Sequence, residues 1–129
     1  MKTVNEPTNI DGLRVIEDSE EMLAAIKSGE SFYHWEYGNS LSPMINNMEY
    51  CKITPCNINE VKSGDAVFCV IHYPDGDIPM VHLVLGISSA GYDDSKWFKI
   101  GTSQGFSFGW TKDVLGIAKG TDIYQDTSV

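Results

Sequence analysis

A chain of 129 residues with 42% hydrophobic content is the size of one domain with a sizeable core, and no apolar run in it approaches the roughly 20 residues that span a bilayer. Its formal net charge of −9 and its dispersed Lys and Arg argue against nucleic acid as a direct ligand, because phosphate contacts need clustered cations. Cys51, Cys56 and Cys69 are odd in number and form no CxxC pair, so they read as free thiols in a reducing compartment and not as zinc ligands.

Residues 1–12, with Pro7, Asn9 and Gly12, read as a loose lead-in. They contain no apolar h-region, so no signal peptide is expected and the chain is placed in the cytoplasm. Residues 18–29 predict a helix. Asp18 caps it, Glu20 and Glu21 suit its first turn, and Met22, Leu23, Ala25 and Ile26 supply an apolar face. Lys27 lies near the end and Gly29 stops it.

Beyond Gly29 the chain turns to strands. Residues 31–37 are aromatic-rich, and 48–54 alternate up to Pro55. The run 66–72 is almost continuously apolar, Asp75-Gly76-Asp77 marks a turn, and 80–87 returns, which predicts a long hairpin. In that returning strand Met80, His82, Val84 and Gly86 share one face. A turn is expected at 91–95, with strands at 96–100 and 114–118. Gly105, Gly109 and Trp110 read as a tight loop covering a core edge, and Asp65 as a residue that ties down a turn. The fold class is therefore mainly β, a curled antiparallel domain with one N-terminal helix. Residues 1–37 form the lead-in, helix and first strand, and 38–129 the β domain proper, all in one compact unit.

Chemistry concentrates on Ser40 and His82. A Gly-x-Ser-x-x-Pro run leaving a strand can present a hydroxyl at the lip of a sheet, and a histidine near neutrality is the side chain suited to take its proton. The bland alternatives are a loop serine capping a short turn, with Ser42-Pro43 as a rival cap, and a core or rim histidine. His34 among aromatics and His72 at a strand end have weaker cases. Lys52, Lys62, Lys96, Lys99 and Lys112 sit near turns or in alternating strands, where solvated ends are expected.

Gly38-Asn39-Ser40-Leu41-Ser42-Pro43-Met44-Ile45 resembles the G-x-S-M-x-P box around the nucleophile of the signal-peptidase and LexA-type serine peptidases. Gly64-Asp65-Ala66-Val67-Phe68 looks like their G-D-x-V strand, and Asp113-Val114-Leu115-Gly116-Ile117-Ala118 like their closing D-V-x-G-x-V strand. The segment from Ile78 to Val84 looks like the one that carries the general base, and His82 makes it similar to the histidine version found in the endoplasmic-reticulum and archaeal enzymes. The match covers residues 38 to 118. It implies a coiled β fold of the LexA/signal-peptidase type, Ser40 as nucleophile and His82 as base. It also implies a peptide or protein segment, or the chain itself, as substrate, and no metal or organic cofactor.

Two departures stand out. Leu41 occupies a position usually held by Met, a near-isosteric change. The family's T-K-G-D-N-N-like segment, source of an acidic third member, corresponds to residues 100–111, which hold no carboxylate. That stretch is more similar to the I-G-N-N-x-G-x-x-x-G-W-T form of small phage and bacterial relatives, where Thr102 or Ser103 could orient the histidine. Leu41, Phe106 and Phe108 are candidate groove residues. Three readings stay open: a serine peptidase, a non-catalytic binding module on the same fold, and an acidic phage-type effector that docks on a host protein. Oligomeric state is not legible.

Overall fold

The computed structural model describes residues 2–4, 7–89 and 95–125. Among them the elements run β1 (Lys2–Val4), β2 (Asn9–Ile10), β3 (Leu13–Arg14), α1 (Ser19–Lys27), β4 (Phe32–Trp35), β5 (Glu49–Pro55), β6 (Ala66–Tyr73), β7 (Gly76–Ser88), β8 (Trp97–Gly101), β9 (Ser107–Thr111) and β10 (Val114–Gln125). The protein is mainly β with one α-helix, as its pattern of short strands implies. The main sheet has the order β4-β5-β10-β6-β7-β8-β9, and β1 adds to β10. All neighbours along that path are antiparallel, while β1 joins in parallel. Among the described residues no helix is long and apolar enough to cross a membrane.

β6 explains the layering. Ala66 and Phe68 face one cluster, with Met22, Ala25 and Ile26 of α1, Phe32, Leu41, Ile45 and Ile53. Val67, Cys69 and Ile71 face a second, with Val84, Phe98, Ile100 and Val114. A strand buried on both faces needs the continuous apolar run seen in the sequence. Each fully buried Phe or Ile contributes about 1.5–3 kcal/mol. The sheet curls because its ladders slip at Val84/Gly86, Val114/Gly116 and Gly120/Ile123, where bulges raise the local twist.

α1 begins after Asp18, although the Asp18 side chain makes no capping hydrogen bond. Glu20, Glu21 and Lys27 complement the helix dipole. Gly29 takes φ +84°, and the Glu30 N–H returns to Ala25 O at 2.9 Å to close the helix.

Several expectations change. The described part of the lead-in is paired and not loose: Lys2–Val4 pairs with Ile123–Gln125, and Asn9–Ile10 forms a small hairpin with Leu13–Arg14. The hairpin turn falls at Pro74-Asp75, since Gly76 and Asp77 already pair with Tyr73 and His72. Residues 107–111, read as part of a tight loop, form strand β9 at the sheet edge, and Trp110 is largely exposed instead of covering the core. The period-two spacing of Phe106, Phe108 and Trp110 was the strand signal, masked by the turn-forming Gly105 before them and Gly109 among them. β10 runs past Ala118 because a bulge at Gly120/Ile123, with Asp122 at φ +61°, absorbs a polar stretch that ends the apolar pattern. Within the turn expected at 91–95, residues 91–94 lie outside the described residues.

Gly101 shapes the region that matters below. Leaving β8, the chain folds back so closely that a Cβ at Gly101 would stand 2.1 Å from Phe106 O and 2.4 Å from Leu85 Cδ1. Only a bare α-carbon fits. Gly101→Ala is expected to destabilise the fold by about 2–4 kcal/mol and to displace residues 102–106. Chemical denaturation, with amide chemical shifts of that loop, measures both effects.

Candidate functional site

Ser40 sits in the loop between β4 and β5, held from three sides. Where β4 ends, the Glu36 N–H donates to Glu49 O at 2.9 Å and the Met48 N–H to Glu36 O at 2.8 Å, closing the neck of the loop. Leu41 and Ile45 drop fully buried into the helix-side cluster and act as its anchors. The buried Glu49 carboxylate accepts the backbone N–H groups of Asn46 (2.9 Å) and Asp122 (2.8 Å), fastening the loop to the β10 bulge. From across the sheet, the Ser103 N–H donates to Ser40 O at 2.8 Å and Ser103 Oγ to Asn39 O at 3.2 Å. Ser40 itself is half-buried.

His82 lies in mid β7, opposite Val67 of β6. On its other side Leu83 pairs with Gly101, so the chain leaving β8 at Thr102 and Ser103 runs from the His82 neighbourhood to the Ser40 loop. The Phe108 ring stacks on the imidazole, with centroids 4.4 Å apart and planes tilted by 32°. Burial holds the His82 pKa below its usual value, so the ring is neutral near pH 7. Its Nδ1 is buried and has no hydrogen-bond partner among the described residues.

Ser40 and His82 line one groove of about 460 Å³, together with Glu17, Ser19, Met22, His34, Trp35, Glu36, Tyr37 and residues 79–81. Ser40 and His82 thus line a common space, but among the described residues Ser40 Oγ makes no hydrogen bond to the imidazole. The accessory residues divide. Ser103 steadies the Ser40 backbone, and Thr102 Oγ1 accepts from the Phe106 N–H at 3.3 Å; neither hydroxyl bonds His82 Nδ1. Leu41, expected on the groove wall, is instead a fully buried anchor, because the loop needs an apolar residue pointing inward there. Phe108 backs the imidazole, and Phe106, 62% exposed, meets the Phe108 ring edge-on at 5.0 Å.

The sequence reading missed the acidic side of this groove. Glu36 is 8% exposed, and burial, aided by the charge of Glu17, lifts its pKa from 4.5 to about 7. Glu17 stands in the segment before α1 with its side chain 49% exposed; Oε1 accepts the Trp35 N–H at 3.0 Å, and partial burial raises its pKa too. His34 Nδ1 donates to Ile16 O at 3.0 Å and lies 3.4 Å from Glu17 Oε2, and burial keeps that ring below its usual pKa. One signal was available: Phe32, His34 and Glu36 follow each other at period two, which sets an acid on a face otherwise leading into the core.

His72 belongs to another place and another job. Its Nδ1 meets Asp77 Oδ1 at 2.7 Å and its Nε2 meets Asp113 Oδ2, and both carboxylates raise its pKa. This exposed bridge clasps the β6–β7 hairpin to the start of β10, beside a separate cavity of about 330 Å³. Asp65 ties down its turn as expected, accepting the Lys62 N–H at 2.9 Å. Cys51, Cys56 and Cys69 are free, and burial pushes the Cys69 thiol up to about 12. No family model, curated protein or solved structure matches this chain.

The buried carboxyl of Glu36 carries a signed consequence. Its folded-state pKa lies above the unfolded one, so the folded state binds more protons between pH 4.5 and about 7, and stability falls as pH rises through that window. Glu36→Gln is expected to flatten that slope and to stabilise the protein at pH 8 by up to about 3 kcal/mol. Urea unfolding of both proteins at several pH values gives the difference. The His72 contribution, lost as pH rises through its own raised pKa, is common to both and cancels.

Proposed function

We propose that the groove binds an extended peptide segment and that Ser40 attacks a carbonyl of that segment with His82 as general base, a serine peptidase of the signal-peptidase/LexA kind using a histidine. The observation that carries this reading is that Ser40 and His82, far apart in sequence, line one groove. Three further features support it. The histidine is neutral near pH 7 and so can accept a proton. The Ser40 backbone is fixed by the Ser103 N–H and the Leu41 anchor. Trp35 and Tyr37, packed edge-to-face with centroids 5.8 Å apart, give the groove an aromatic surface on which peptide side chains can rest.

In the proposed reaction His82 Nε2 takes the Ser40 Oγ proton as Oγ bonds to the peptide carbon. The Ser40 N–H steadies the oxyanion, and the protonated ring then gives its proton to the leaving amine. Water, deprotonated by the same ring, releases the acyl group and restores Ser40.

A second reading has its own observation. Among the described residues His82 Nδ1 has no partner, so none of them holds the ring in one tautomer or balances the imidazolium, a task that an acid performs in a complete triad. On this reading the groove binds peptide and does not cleave it.

A serine-directed phosphonate separates the two. The peptidase is expected to be labelled at Ser40, with labelling abolished in Ser40→Ala and slowed about 10²–10⁴-fold in His82→Ala, both variants remaining folded. The labelling rate should rise with pH through a midpoint below 6.5 and then level, the sign set by the lowered His82 pKa. An unlabelled wild-type chain, or label that persists in Ser40→Ala, would leave the binding reading in its place.

A further inference from the structure

We infer that the Ser40 groove has a subsite for a basic side chain, the guanidinium or ammonium of an Arg or Lys within the bound peptide, seated between Glu36 and Glu17. This rests on the proposal that the groove takes a peptide, and it names the substrate class.

The inference starts from Glu36. A carboxyl nine-tenths buried is ordinarily hydrogen-bonded or ion-paired, since desolvating it without a partner is costly. Glu49, equally buried, obeys that rule through two backbone N–H groups. Glu36 does not: its carboxyl has no hydrogen-bond or ion-pair partner among the described residues, and its oxygens are not sealed from solvent but open on the groove that the residue lines. Glu17 lines the same groove and its charge helps to raise the Glu36 pKa, and among the described residues no Lys or Arg lines the groove to offset either. His34 does not supply the missing charge, because burial keeps its ring neutral near pH 7 and its Nδ1 proton is engaged by Ile16 O.

The groove therefore lacks a cation, and its shape favours an organic one. Among the described residues no three His, Cys, Asp or Glu groups are placed to hold a metal ion. Trp35 and Tyr37, edge-to-face with centroids 5.8 Å apart, line the same groove and offer aromatic surface to a methylene stem. A guanidinium is the planar donor that two neighbouring carboxylates accommodate best.

The test is fluorescence anisotropy with the Ser40→Ala chain, which binds without turnover. The probes are an N-acetylated, alanine-rich peptide with one central arginine and the same peptide with citrulline, a neutral near-isostere. Acetylation removes the terminal amine as a rival cation. The arginine peptide is expected to bind about tenfold or more tightly than the citrulline peptide at pH 8, with the preference lost in the Glu17→Gln/Glu36→Gln chain and reduced in Glu36→Gln alone. Glutamine keeps the acceptor for the Trp35 N–H, and circular dichroism checks each fold. Equal affinity for the two peptides, no binding of either, or a preference that survives the double substitution overturns the subsite. Selective binding without cleavage by the Ser40 chain would overturn the peptidase reading and leave the subsite standing. Cleavage of both peptides with equal affinity would do the reverse.

Discussion

Strand β6 is the constraint on which the rest of the molecule depends. Its side chains are buried on both faces, Phe68 toward the helix and Val67 toward β8, so it has one register in which neither core is opened. That register sets Val67 opposite His82. A slip of one residue would turn the imidazole to the other face. The position of the candidate base is thus a consequence of hydrophobic packing two strands wide, and no polar contact on the ring is needed to fix its height in the sheet.

Polar burial is organised in two contrasting ways around the Ser40 loop. Glu49 is a satisfied carboxylate that joins the loop to the β10 bulge, and its two backbone donors offset its desolvation. Glu36, on the same pair of strands, has burial without those donors, and its proton affinity rises accordingly. Two acids brought close to one loop by the same ladder therefore differ in kind. One is structural. The other is a strained group facing open space, the usual mark of a site whose partner comes from outside.

Much of this was legible in the sequence where a single physical period governed the chain. The helix at 18–29 and the hairpin of β6 and β7 followed from apolar spacing and turn chemistry, while Ser40 and His82 were candidates from their residue types and a family resemblance, and the structure shows only that they line one groove. Three things were hidden. β9 was obscured because glycines at 105 and 109 signal turns locally, whereas tertiary pairing with β8 decides their state. The lead-in strands were too short to carry a period at all. The acidic side of the groove depends on Glu17, from the segment before α1, and Glu36, from the end of β4, lining one space, a long-range arrangement with no local signature beyond the alternation of Phe32, His34 and Glu36.

The two halves of the groove act by different physics. Burial alone moves the His82 pKa, and no carboxylate charge counters it. The acids that the groove does contain are therefore not orienting partners of the ring, and the imidazolium formed during proton transfer would have to be carried by Phe108 stacking and by solvent entering the open groove. That arrangement favours a base that is available but weak. On the proposed reading the groove is better equipped for recognition: a carboxyl with no partner among the described residues, a second one at the rim and an aromatic pair on the same lining as Ser40. Binding energy gathered on a basic side chain could then hold a peptide carbonyl against Ser40 long enough for a weak base to act, which is how positioning substitutes for a missing acid.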